Sequence, residues 1–173
     1  MPPTLNSNEC ITTDRLVLEP LRVDHAEHMV AVLADPALYT VIGGTPPTLE
    51  VLRRRYGLMA VGHSEDGSQQ WLNWIVRERG APGRLVGTVQ ATVTDEGARA
   101  EVAWIIGVPW QGRGLGSEAS RAMVEWLGRS GVTSVIAHVH PDHPASQAVA
   151  RRAGLVPTDA YWDGEQRWVG GAT

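Results

Sequence analysis

The sequence predicts a single α/β (α+β) domain with a central mixed, mostly antiparallel sheet, and three observations support this fold class. A chain of 173 residues fits one domain with a substantial core. Its hydrophobic content of 43% and charged content of 20% are ordinary for a globular protein. Segments that alternate with period two are interleaved with segments of helical period, and together they predict about seven strands flanked by about four helices.

The composition argues against several classes of protein. A net charge of −4 is unlike that of a general nucleic-acid binder, and no apolar run approaches the roughly 18 residues of a membrane span. All 15 basic residues are arginines, so a phosphate loop of the G-x-x-x-x-G-K-[ST] type, which needs a lysine, cannot occur. We expect a cytoplasmic protein with no nucleic-acid or membrane partner, no metal, and a bystander thiol at Cys10.

The first half of the chain is predicted to contain one strand and two helices. Residues 1–12 are expected to form a flexible N-terminal tail, and the domain is expected to span 13–173. A short strand covers 15–19. Asp24 is the predicted N-cap of the first helix, and Thr48 is the predicted N-cap of the second.

The second half of the chain begins with three strands in a meander, over 71–78, 84–94 and 98–108. The last of these is apolar enough at its end to be buried on both faces. The strongest helical pattern follows it directly, and a fifth strand and a short helix come next. A final hairpin is predicted to turn at Asp163-Gly164.

The segment "VPWQGRGLGSEA" lies between the fourth strand and the long helix, and it contains Gly112, Gly114 and Gly116. Backbone N–H groups at a helix N-terminus favour an anion, and closely spaced glycines let a ligand approach the backbone. A tight turn alone would need only one or two glycines. The dinucleotide motif G-x-G-x-x-G is incomplete, because Ser117 stands where its third glycine belongs.

The same segment resembles the Q/R-x-x-G-x-G/A motif of the GNAT superfamily of acyl-CoA-dependent N-acetyltransferases. Two other stretches, "TTDRLVLEPL" and "HPDHPASQAVARRAGLVPT", resemble the opening strand and the fifth-strand and helix segment of its RimJ/RimL-like (ribosomal-protein-alanine acetyltransferase-like) branch. The resemblance covers nearly the whole chain. It departs from the usual pattern at Glu19, where the branch has arginine, at His143, where it has asparagine, and at Ala150, where many members carry tyrosine.

This resemblance implies a GNAT-type domain whose sheet splays between the fourth and fifth strands, with acetyl-CoA (coenzyme A) as co-substrate. The glycine turn would hold the pyrophosphate, the end of the fourth strand would pair with the pantetheine arm, and Arg151 or Arg152 could reach the 3′-phosphate. The coenzyme-binding residues implied are Ile106, Val108, Gln111, Gly112, Arg113, Gly114, Leu115, Gly116, Ser117 and His143.

Acetyl transfer to an amine also needs an oxyanion donor, an acid and a base. The resemblance suggests the first two, and the position of Glu101 at the start of the fourth strand, near where an amine would enter, suggests the third. The backbone N–H of Ile106 is the expected oxyanion donor. Ser146 matches a serine of the branch and would protonate the departing thiolate, although it could instead bond local backbone at a helix start. Glu101 would deprotonate the amine, directly or through water, although a solvated strand-edge glutamate would look the same.

The implied function is transfer of an acetyl group from acetyl-CoA to a primary amine by direct attack. The acceptor would be a protein N-terminal α-amine or a small-molecule amine. The departures at His143 and Ala150 keep a second function open, a non-catalytic module that binds and senses acyl-CoA. The expected partner is therefore a small-molecule or peptide amine, and the chain is expected to be a monomer or a homodimer.

Overall fold

The fold is described by a computed structural model over residues 5–80 and 83–172. Within these residues eight strands and four α-helices are present. The strands are β1 (Ile11–Thr12), β2 (Leu16–Pro20), β3 (Gln70–Glu78), β4 (Leu85–Thr94), β5 (Arg99–Ile106), β6 (Ser134–Val139), β7 (Val156–Trp162) and β8 (Glu165–Gly170). The helices are α1 (Ala26–Val32), α2 (Leu49–Met59), α3 (Leu115–Arg129) and α4 (Pro144–Arg152).

All eight strands belong to one sheet, in the order β1-β2-β3-β4-β5-β6-β8-β7. Every neighbouring pair is antiparallel except β5 and β6, which are parallel. These two strands pair only over residues 99–101 and 134–136. Because β5 continues to Ile106 and β6 to Val139, they open into a fork. The predicted mixed, mostly antiparallel sheet that splays between the fourth and fifth predicted strands is therefore confirmed.

The two faces of the sheet are covered to different extents. On one face α3 and α4 pack over the larger core, where the rings of Trp74 and Trp126 meet edge to face at 5.3 Å. On the other face α1 and α2 pack over a smaller core that includes Ile75. Gln90 and Ala103 lie opposite each other on this second face and are exposed. The second face is thus partly open beside the fork.

The N-terminal segment differs from its prediction. The two-residue strand β1 pairs with β2 and raises the strand number from about seven to eight. The segment 5–12, which was expected in a flexible tail, contacts the sheet at its two ends. Leu5 and Ile11 are buried, and the N–H and C=O of Leu5 both bond the side-chain amide of Gln70. The mostly polar composition of the segment concealed these contacts. Residues 1–4 of the predicted tail lie outside the described residues.

The strand predicted over 98–108 ends at Ile106, and the expectation that its end is buried on both faces is wrong. Ala103 is exposed, and Trp104 and Ile105 are only half-buried. The second face is only partly covered, and the fork removes the neighbouring strand on one side. Pro109 lacks the N–H that a continued strand would need.

Local capping signals gave mixed results. Thr48 caps α2 as predicted, because its hydroxyl accepts the N–H of Val51. The predicted hairpin turn is confirmed, with Asp163 and Gly164 both in the left-handed region. Asp24 is not the N-cap of α1, since a 3₁₀ turn containing it precedes the helix.

Candidate active site

A cavity of about 290 Å³ opens at the fork between β5 and β6. On the α3 side it is lined by Ile106 and by the glycine turn that leads into α3. On the α1 side it is lined by Ile105, Leu38 and Ile42. The cavity therefore reaches both faces of the sheet, so two reactants could meet in it from opposite sides.

The glycine turn adopts a backbone that needs its glycines. Gly112 and Gly114 have φ angles of +76° and +77°, in the left-handed region that side chains strain to adopt. A Cβ on Gly116 would lie 3.3 Å from Cγ1 of Ile106. All three glycines line the cavity, and the 15-residue helix α3 begins at Leu115. The N-terminus of that helix thus faces the cavity, where its N–H groups and dipole favour an anion.

Alternate residues of β5 direct their backbone N–H and C=O groups into the fork. The N–H of Gly107 donates to the C=O of Val86 at 2.8 Å, and Ile106 stands opposite Gly87. This arrangement makes Ile106 and Gly87 a non-hydrogen-bonded pair, whose own groups point away from each other. The C=O of Ile106 accepts the side-chain amide of Gln111 at 2.9 Å. The N–H of Ile106 also points into the fork, where it can donate to a ligand.

The first turn of α4 forms another wall of the cavity and contains Ser146 and His143. His143 is the N-cap: its Nδ1 accepts the backbone N–H of Ser146 at 3.2 Å. The histidine therefore serves as the helix cap, and Ser146 supplies the N–H that is capped. Ala150, by contrast, is fully buried in the larger core and lies outside the cavity lining.

Two of the predicted coenzyme ligands do not line the cavity. Val108 lies in a 3₁₀ turn beyond the end of β5. Arg113 turns away, because its Nη2 donates to Oε1 of Glu78 at 2.6 Å, and Glu78 is only 9% exposed. The predicted ligands that do line the cavity are Ile106, Gln111, Gly112, Gly114, Leu115, Gly116, Ser117 and His143.

Glu101 also lies outside the cavity lining, on the open part of the second face. Its Oε1 is 3.0 Å from Nδ1 of His138, whose Nε2 is 3.4 Å from Nε of Arg167. Since a strand rises about 3.3 Å per residue, the Cα atoms of Glu101 and Ile106 are roughly 16 Å apart. Glu101 can therefore act on a group bound beside Ile106 only through water.

The charges and the apolar mouth of the cavity were only partly predictable. Arg152 lines the cavity with Nη1 3.4 Å from Oγ of Ser117, whereas Arg151 stacks on Trp168 at 5.1 Å. Sequence reasoning assigned the segment 38–47 to the acceptor side without defining a pocket in it, so Leu38 and Ile42 were not named individually. None of the described residues that line the cavity is Asp or Glu.

Within 5–80 and 83–172, no three His, Cys, Asp or Glu side chains are grouped so that they could hold a metal ion. In the same two ranges, no helix has the length and apolar character that crossing a membrane requires. Cys10 is exposed.

Comparison with known proteins was made for both the sequence and the fold. The sequence profile described as an acetyltransferase (GNAT) domain matches residues 15–156. No match was found among curated proteins.

Several solved structures share the fold over nearly the whole chain. An acetyltransferase (GNAT family) from Bacillus anthracis is 18% identical, with 95% of this chain and 99% of that chain covered and a TM-score of 0.75. RimL, a ribosomal L7/L12 α-N-protein acetyltransferase in complex with coenzyme A, is 17% identical, with coverages of 94% and 98% and a TM-score of 0.75. AAC(6′)-Ib in complex with paromomycin and acetyl-CoA is 19% identical, with coverages of 91% and 94% and a TM-score of 0.73.

Proposed function

The chain belongs to the GNAT acetyltransferase family, and we propose that it transfers an acetyl group from acetyl-CoA to the α-amine of a peptide or protein. One observation carries this proposal: the cavity at the fork brings together an anion-binding turn, an inward backbone N–H and a hydroxyl. These are the glycine turn before α3, Ile106 of β5 and Ser146 of α4.

The residues present fit coenzyme A. The backbone N–H groups of the glycine turn suit the pyrophosphate, and Arg152 adds a positive charge beside them. Ile106 and Val149 provide apolar walls for a pantetheine arm. When bound, acetyl-CoA supplies a thioester that an amine can attack.

Two groups of the chain would then serve the transfer itself. The N–H of Ile106 donates to the thioester oxygen as that oxygen gains negative charge, and it is held in place by the ladder with β4. The hydroxyl of Ser146 would give a proton to the sulfur as it departs and would regain a proton from solvent through the open cavity. The N-terminus of α4, in which Ser146 lies, also favours negative charge on that sulfur.

The proton of the acceptor amine needs a separate route. We assign Glu101 as its final acceptor, through a chain of water on the open second face. His138 holds this carboxylate at the base of the fork, where the pairing of β5 with β6 stops. A base at this distance cannot deprotonate a strongly basic amine efficiently. The acceptor should therefore be an amine that is already partly neutral.

The absence of Asp and Glu from the described cavity lining and the distance of Glu101 from Ile106 favour an α-amine as acceptor. An α-amino group has a pKa of about 7.7–8.0, so roughly one third of it is neutral at pH 7.5, whereas about 0.1% of a lysine side chain is. The described lining contains no Asp or Glu to compensate a polycation such as an aminoglycoside. The apolar mouth at Leu38 and Ile42 suits an uncharged residue next to the amine.

The test is thiol release from acetyl-CoA with three acceptors: a peptide with a free α-amine, the same peptide blocked at that amine but carrying a lysine, and an aminoglycoside. We expect the free α-amine to react at least about tenfold faster than the lysine at pH 7.5, because it supplies more neutral amine. It should also react faster than the aminoglycoside, because the described lining contains no carboxylate to compensate a polycation. The chain contains no lysine, so no side-chain amine of the protein itself can react with acetyl-CoA and add to the measured thiol release.

Two other outcomes would contradict the proposal in different ways. A preference for the aminoglycoside would overturn the acceptor class and leave acetyl transfer standing. Acetyl-CoA binding without thiol release for any amine would favour a non-catalytic module that binds acyl-CoA.

A further inference from the structure

Charged side chains join the start of α3 to the turn between β1 and β2. Glu118, in the first turn of α3, accepts the hydroxyl of Thr13 at 2.6 Å, the backbone N–H of Arg15 at 3.0 Å and Nε of Arg15 at 2.6 Å. Partial burial by itself would raise the pKa of Glu118, but the hydrogen bonds from Thr13 and Arg15 outweigh it and lower that pKa. The carboxylate is therefore ionised at neutral pH and fixes the guanidinium of Arg15.

Arg15 in turn holds one peptide group of the glycine turn. Its Nη1 donates to the C=O of Arg113 at 2.8 Å, and its Nη2 lies 3.4 Å from where a Cβ on Gly114 would be. In a planar trans peptide, the C=O of one residue and the N–H of the next point in opposite directions. Arg15 lies outside the cavity lining, whereas Gly114 belongs to it. The C=O of Arg113 therefore faces Arg15, outside the cavity lining, and the N–H of Gly114 points in the opposite direction, away from Arg15.

The same peptide group is anchored from β3 as well. The side chain of Arg113 is bound to the nearly buried Glu78, which fixes the position of Arg113 at one end of this peptide group. Arg79, which directly follows β3, donates its backbone N–H to the C=O of Arg15 at 2.8 Å. These contacts hold the glycine turn in position in the absence of a ligand.

We propose that Arg15 is a positioning residue that orients the N–H of Gly114 toward the pyrophosphate of acetyl-CoA without touching the coenzyme. The inference rests on the proposed function, because it needs the coenzyme to bind at the glycine turn. Orientation before binding raises affinity, since the ligand does not have to order the turn itself.

The test uses Arg15→Met, which keeps the length of the side chain and removes its donors. We expect the Kd and KM for acetyl-CoA to rise at least about tenfold, the scale of one hydrogen bond to a charged group, with kcat at saturation changed less than about twofold. The rate with S-acetyl-pantetheine, which lacks the pyrophosphate, should stay within about twofold of the wild-type rate. A general distortion of the site would instead lower the rates with both donors. Arg15→Lys, which keeps the positive charge, is the milder second variant and should lose less affinity.

Arg53→Met is the matched control. Arg53 has nearly the same side-chain exposure, 51% against 49%, and its guanidinium pairs with Glu27 far along the chain from the glycine turn. This variant should bind acetyl-CoA like the wild type.

Inorganic pyrophosphate separates this inference from the proposed function. Weaker pyrophosphate binding by Arg15→Met supports the positioning role even where no acetyl transfer is detected. Transfer activity in the wild type, combined with equal acetyl-CoA and pyrophosphate affinities in both proteins, overturns the positioning role and leaves the proposed function standing. Equal losses with acetyl-CoA and S-acetyl-pantetheine also overturn it.

Discussion

At the scale of single residues, Ser146 is the side chain best placed to take part in the chemistry. It lines the cavity, and its backbone N–H is already fixed by His143. Ser146→Ala should therefore lower kcat roughly tenfold to a thousandfold, which is within or a little below the usual range for a general acid. The affinity for acetyl-CoA should hardly change, because the glycine turn does not depend on this hydroxyl. Steady-state rates and calorimetry measure the two effects.

A second variant and a pH profile distinguish this role from a structural one. Ser146→Thr retains a hydroxyl and should keep more activity than Ser146→Ala. Raising the pH should not restore the alanine variant, since a higher pH does not supply a proton to the departing sulfur. Wild-type rates in Ser146→Ala would leave backbone positioning as the source of catalysis.

At the scale of elements, the glycine turn was predictable because its signal is local. The spacing of Gly112, Gly114 and Gly116 between a strand and a helix pattern indicated the turn and its anion preference. The direction of the Arg113 side chain was not predictable, because its partner Glu78 lies 35 positions earlier in the chain. The contact of Leu5 with Gln70 spans 65 positions and was missed for the same reason.

Replacing Gly114 tests the turn as an element. Gly114→Val should weaken acetyl-CoA binding at least about tenfold, or roughly 1.4 kcal/mol, because a side chain there would displace the backbone and crowd Arg15. Gly131→Val is the control, since Gly131 also has a positive φ, lies just beyond the other end of α3 and faces open space. Both variants bear the strain of a left-handed residue, about 1–2 kcal/mol. Equal acetyl-CoA affinities in the two variants would contradict a role of the turn in binding.

At the scale of the whole molecule, a nearly buried polar group ties the start of α1 to the sheet. Glu19 of β2 bonds Nη2 of Arg77 at 2.6 Å and Nε2 of His25 at 3.0 Å. Nδ1 of His25 accepts the backbone N–H of Arg22 at 2.9 Å. These partners explain how the chain accommodates a glutamate at position 19, where the RimJ/RimL-like branch usually has arginine. They also hold in place the helix that precedes Leu38 and Ile42 at the cavity mouth.

This group makes stability depend on pH. Burial, and after it the charge of Arg22, lower the pKa of His25 below 6.5, so the unfolded chain binds a proton more readily than the folded chain does. The stabilisation from His25 is therefore fully present above pH 6.5 and is lost as the pH falls through the lowered pKa. Burial by itself would raise the pKa of Glu19, but Arg77 and His25 lower it below 4.5, so its contribution is lost only in stronger acid.

His25→Gln should remove the part of the pH dependence of stability that comes from His25. A glutamine can accept from Arg22 and donate to Glu19, as the neutral imidazole does, but it does not titrate. The free energy of unfolding, measured by denaturant titration, should fall as the pH is lowered below 6.5 in the wild type and fall less steeply in the variant. His28→Gln on the exposed side of α1 is the control and should keep the wild-type slope. If His25→Gln falls as steeply as the wild type does, other groups carry the pH dependence and His25 does not link α1 to the sheet in the way described.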